Sequence, residues 1–85
     1  MNQFIQITKE RWYAMLEVLP PEKWETVDGV EIFRLEEYTI GNITGHYAKY
    51  RKTYWYALKA NTYQYSSIAS EVKESYLKIC EVTHD

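Results

Sequence analysis

The chain has 85 residues, a formal net charge of −2 and an isoelectric point near 5.7. That length fits one compact domain, residues 1–85, and the 3 Trp, 9 Tyr and 2 Phe exclude a disordered chain. The slight acidity argues against wrapping duplex DNA, which calls for a basic face and a high isoelectric point.

Taken in chain order, the first predicted element is a helix over 9–18. Thr8 is its cap, Glu10 lies in the first turn where the helix dipole favours an anion, and Ile7 and Trp12 stand at the positions of a hydrophobic staple. Trp12, Met15, Leu16 and Leu19 recur at helical spacing, and Pro20 and Pro21 end the run. Residues 24–27 and 30–33 then flank Asp28-Gly29, a dipeptide suited to a hairpin turn with positive φ. Glu37 to Ile40 continues that strand or begins another, and Gly41-Asn42 breaks it. A strand over 43–50 follows, with Gly45 as a candidate bulge. Arg51-Lys52 reads as a tight turn without the usual Gly or Asn. Thr53 to Leu58, β-branched and aromatic throughout, is the strongest strand signal in the chain. Ser66-Ser67 then offers a cap, and Ile68, Val72, Tyr76 and Ile79 predict a second helix over 67–79, with a frayed tail from Glu81. The expectation is an α+β domain of α-β-β-β-α order, its antiparallel sheet covered on one face by two helices.

The segment KYRKTYWYALKANTYQY, residues 49–65, carries Lys49, Arg51, Lys52 and Lys59 and no acid. Side chains alternate along a strand, so Tyr54, Tyr56 and Leu58 point one way and Trp55 and Ala57 the other. Three readings stand side by side. The rings form the core; they form a stacking platform for single-stranded nucleic acid, with the basic residues taking phosphates; or they form a protein interface, for which Tyr, Trp and Arg are the usual anchors. Tyr54, Tyr56 and Leu58 are expected mainly in the core. Tyr50, Arg51, Lys52 and Trp55 are expected at the working face, with Lys49 and Lys59 adding charge. Glu17, Glu22, Glu25, Asp28, Glu31, Glu36 and Glu37 crowd the acidic half. Were Glu31, Glu36 and Glu37 to share a face, they would make a second, acidic surface suited to a basic groove on a partner.

No catalytic signature accompanies these residues. Glu36 and Glu37 are adjacent and would point to opposite faces of a strand, a poor acid–base pair. His46 stands alone in a strand and His84 in the tail, with no ligands at metal spacing. Gly41 and Gly45 lack the lysine and helix of a phosphate loop. Asn42-Ile43-Thr44 matches a glycosylation acceptor only in form. Cys80, the single cysteine, excludes an internal disulfide, reads as a small buried apolar residue and fits a reducing cytoplasm. Residues 2–6 lead straight toward a helix cap rather than into a signal peptide, and no stretch approaches the roughly 20 apolar residues of a membrane span. A cytoplasmic protein without enzyme activity, cofactor, metal or membrane partner is expected.

Ile7-Thr8-Lys9-Glu10-Arg11-Trp12, then Met15-Leu16, Leu19-Pro20-Pro21 and Trp24, resemble the opening of a loosely defined group of short proteins encoded by bacteriophages, prophages and plasmids. Phe33, Glu37, Gly41, Ile43, Thr44 and Tyr47 continue the likeness, which fades in the aromatic segment. The resemblance brings no catalytic residues. It implies a bacterial host and action by binding: a counter-defence protein such as an anti-CRISPR, whose rigid surface blocks a host protein or protein–nucleic acid complex such as a CRISPR-Cas effector. Such a contact needs about 800 Å² on each partner. The rival expectations are a single-stranded nucleic-acid-binding accessory protein and a self-assembling structural protein that pairs through a strand edge.

Overall fold

The structure, a computed structural model, describes residues 4–19, 21–35, 44–58 and 64–83. Its elements are β1 (Ile5–Ile7), α1 (Lys9–Val18), β2 (Pro21–Val27), β3 (Val30–Leu35), β4 (Gly45–Tyr50), β5 (Thr53–Leu58) and α2 (Tyr65–Thr83). The five strands form one antiparallel sheet in the order β1-β5-β4-β3-β2. The molecule is a small α+β domain with both helices packed on the sheet.

The local signals act as their chemistry dictates. Thr8 caps α1, its hydroxyl accepting a hydrogen bond from the Arg11 backbone N–H at 3.2 Å, and Ile7 and Trp12 meet in one cluster as a staple requires. Asp28 and Gly29 both take positive φ, 51° and 81°, at the β2–β3 turn. Three details differ from expectation. The sheet has five strands rather than three: β2, β3, β4 and β5 are four separate strands, and Ile5-Gln6-Ile7 adds a fifth by pairing with Tyr56, Trp55 and Tyr54 before α1 begins. Helix α2 starts at Tyr65, so Ser66 lies inside it and its carbonyl accepts from the Ser70 hydroxyl at 3.1 Å; the helix runs on to Thr83. Gly45 is no bulge: it pairs with Leu58 at the start of β4, where a Cβ would meet the Ala57 carbonyl oxygen at 2.6 Å. Close approach of two backbones explains that glycine. Residues 36–43 and 59–63, with the expected strand at 37–40 and the Gly41-Asn42 break, lie outside the described residues.

A further difference is the cover: the helices lie on opposite faces of the sheet, not both on one face as expected, and the reason is legible in β5. Both of its side-chain sets are bulky or apolar, so both faces need cover. Tyr54 and Tyr56 join Trp12, Met15 and Leu16 of α1, with Tyr47, Phe33 and Leu35 from the neighbouring strands. Trp55 and Ala57 join Ile68, Ala69 and Val72 of α2, with Val30, Ile32, Ala48 and Phe4. On the α1 face the register lines up Ile5, Tyr56, Tyr47, Phe33 and Trp24, one from each strand, as a row across the sheet. Tyr47 and Tyr56 meet at 4.8 Å between ring centroids, and Trp24 stacks on Phe33 at 6.0 Å. Trp12 closes the row from above, 5.5 Å from Phe33 and 5.0 Å from Tyr54.

Candidate binding surfaces around the β4–β5 turn

The β4–β5 turn is built from Arg51 and Lys52, both in the left-handed region at φ 49° and 63°. Neither is glycine or asparagine, and each such residue costs about 1–2 kcal/mol. The β2–β3 turn of the same sheet uses Asp-Gly for the same job, so the cations at this turn stand against the local backbone preference. The Thr53 hydroxyl, 3.4 Å from the Arg51 carbonyl oxygen, braces the turn. Replacing Arg51-Lys52 by Asn-Gly is therefore expected to stabilise the fold by about 1 kcal/mol, after the extra freedom glycine gains in the unfolded chain. Thermal unfolding should show a rise of about 4–8 °C; an unchanged or lower midpoint would mean the turn carries no strain.

Alternation and the turn together divide the basic residues between the two faces. On the α2 face the Arg51 guanidinium lies 5.3 Å from the Tyr50 ring and 5.9 Å from the Tyr76 ring, and the two rings meet edge to face at 5.2 Å. Lys73, one turn before Tyr76 on α2, brings Nζ to 5.8 Å from Tyr50. The result is a half-exposed cluster of two rings and two cations. On the α1 face Lys49 and Lys52 join Lys9 and Tyr13 of α1 around an open cavity of about 590 Å³ floored by Tyr54. Lys49 Nζ lies 5.6 Å from the Tyr54 ring.

The other expected site residues fare differently. Trp55 was expected at the working face and is instead 2 % exposed beneath α2, since the second face of the sheet is as fully covered as the first. Leu58, expected in the core, is 54 % exposed at the end of β5, whereas Tyr54 is buried and Tyr56 partly so. Glu31 stands on the α1 face opposite Lys49, and Glu25 on the α2 face opposite Ile32, so these acids do not gather on one side. Lys59, Glu36 and Glu37 lie outside the described residues. Three residues with interface chemistry escaped the sequence reading. Lys73 and Tyr76 stand far from the hairpin in sequence, and Trp24 of the edge strand β2 is 57 % exposed although it stacks on Phe33.

Buried polar groups sit away from these surfaces. His46 lies under α2, edge-on to the Tyr65 ring at 6.0 Å, and among the described residues nothing hydrogen-bonds its Nδ1. Burial, and then the Arg34 guanidinium, lower its pKa from 6.5 to about 4. Burial raises the Tyr56 phenol above its usual value against the opposing pull of Arg11. Among the described residues no three His, Cys, Asp or Glu side chains come together as metal ligands, and no helix is long and apolar enough to cross a membrane. No protein-family model, no curated protein and no solved structure matches the chain.

Proposed function

We propose that the protein is a non-catalytic binding protein of a phage, prophage or plasmid, acting in the cytoplasm of a bacterial host, where it engages and blocks a host protein machine. An anti-CRISPR that sterically occludes a CRISPR-Cas effector is the form this reading takes. The supporting observation is the cluster of Tyr50, Arg51, Lys73 and Tyr76 beside a turn whose cations stand against the local backbone preference. Tyrosine and arginine are the residues that anchor protein interfaces, and these are preorganised by one another, which limits the entropy lost on docking.

The test is an affinity pull-down of the full chain, tagged after Asp85, from host lysate with and without nuclease, beside a plasmid-interference assay in cells. A defined complex that survives nuclease is expected, and Tyr50→Ala with Arg51→Ala should abolish it while circular dichroism stays native. A complex indifferent to that double substitution, or one that vanishes with nuclease, defeats the reading.

A second reading, self-association, draws on β2. This seven-residue edge strand carries the exposed Trp24 between Lys23 and Glu25. Antiparallel pairing of two copies about Trp24 would set each Lys23 opposite the partner copy's Glu25. An empty pull-down together with a dimer in light scattering that Glu25→Lys disperses would favour it.

A further inference from the structure

We propose that the cavity on the α1 face takes a nucleoside phosphate, either as a free nucleotide or as the end of a single strand. This site is separate from the Arg51 cluster and stands or falls independently of it. Among the described residues three lysines, Lys9, Lys49 and Lys52, line the cavity and no carboxylate does, in a chain whose acids outnumber its bases by 12 to 10; Glu31, the cross-strand partner of Lys49, is not among the lining residues. The lysines arrive from three places: the first turn of α1, the body of β4 and the left-handed turn. The positive end of the α1 dipole opens at the same point, where Thr8 lines the wall.

The rings make the ligand more specific than a bare anion. Tyr13 follows Lys9 by four residues, so cation and ring share one stripe of α1 about one 5.4 Å turn apart. That is the span of a sugar between its phosphate and its base. Tyr13 is 52 % exposed and meets Trp12 in a T-shaped contact at 5.1 Å, so its orientation is set while much of the ring stays open. Stacking on such a ring tolerates any base. The volume, about 590 Å³, lies within the usual range of small-ligand sites. A phosphate held by the lysines with the base on Tyr13 satisfies every group that lines the cavity from α1 and the turn.

The experiment measures fluorescence anisotropy of a labelled single strand of deoxythymidine bearing a 5′ phosphate, mixed with the purified full chain. Binding is expected to weaken with salt with a log–log slope of about −0.7, the value for one phosphate neutralised on a single strand. Lys49→Gln and Lys52→Gln should each weaken binding at low salt. Tyr13→Ala should weaken binding about fivefold or more, and Tyr13→Phe should restore it. Arg51→Gln, on the opposite face, should change nothing. Circular dichroism on each variant separates lost binding from lost fold. Displacement by a nucleoside 5′-monophosphate supports the free nucleotide as ligand, and failure of the monophosphate to displace the strand supports the strand end. The proposal is overturned if no binding is seen at about 50 mM salt. It is equally overturned if Arg51→Gln weakens binding as much as Lys52→Gln does, the mark of diffuse charge. Displacement by polyglutamate as effective as by unlabelled strand would assign the cavity to an acidic protein segment instead.

Discussion

Trp55→Ala is expected to cost about 3–5 kcal/mol, the range for removing a fully buried aromatic ring. Domains of this size hold about 0.05–0.15 kcal/mol per residue, or about 4–13 kcal/mol in total, so the variant should lose a large share of its stability. Trp55 sits at 2 % exposure in the cluster under α2, with Ile68, Ala69 and Val72 above it and Ala48 and Ile32 beside it. No second layer can close over the void without moving the helix. Trp55→Phe is the instructive partner. It keeps most of the volume and deletes an indole N–H that finds no acceptor among the described residues, so its cost should stay below about 1.5 kcal/mol. Urea unfolding midpoints of the three proteins decide the matter. Were Trp55 an interface residue, the alanine variant would melt like the parent and lose only binding.

The second large effect is loss of stability in mild acid, through His46. Its imidazole resists protonation until about pH 4 in the folded protein, against 6.5 in the unfolded chain. Between those values the unfolded state binds a proton that the folded state refuses, so stability falls as the pH drops. The slope approaches about 1.4 kcal/mol per pH unit within the window, and the whole window amounts to about 3 kcal/mol. Above pH 6.5 the group contributes no pH dependence, and below about pH 4 its loss is complete. The surroundings explain the resistance. Arg34 is the β3 residue paired with His46, Lys23 is paired with Arg34 in turn, and Lys23 Nζ also lies 5.7 Å from the Tyr65 ring that faces the imidazole. Burial acts first, and a new positive charge there also meets the Arg34 guanidinium. Carboxylates titrate as well below about pH 5, so the measurement compares urea stability of the parent and His46→Phe from pH 7 to 5. The parent should lose stability where the variant stays flat, and parallel curves would sink the assignment.

Local chemistry made much of this fold readable. The Thr8 cap and the apolar spacing from Trp12 to Leu19 place α1 to the residue, and Asp28-Gly29 and the run Thr53–Leu58 place the hairpin turn and β5. Ile5-Gln6-Ile7 was not readable as a strand, because three residues are too few to display a period; only the facing residues Tyr54–Tyr56 make them one. The side Trp55 faces was hidden for a related reason. Alternation sorts β5 into two sets without saying how many faces are covered, and the cover comes from helices at opposite ends of the chain. The same holds for the candidate surfaces. The sequence groups Lys49, Arg51 and Lys52 as one basic run, whereas pleat and turn send Arg51 to Tyr76 and the two lysines to Lys9 and Tyr13.

The pairing of β1 with β5 also bears on how the protein is made. A ribosome delivers Ile5 long before Tyr56, its partner, and at about 5–20 residues per second the delay is roughly 3–10 s. During that delay Phe4 has no Trp55 or Ala57 to bury against, and Trp12 no Tyr54. The hairpins β2–β3 and β4–β5 join neighbours in sequence and close early, so the nascent chain carries a growing meander with an unclosed margin and a helix without its floor. The first strand therefore stays unpaired and its apolar neighbours exposed to chaperones and to other nascent chains until β5 emerges, and the sheet closes only then.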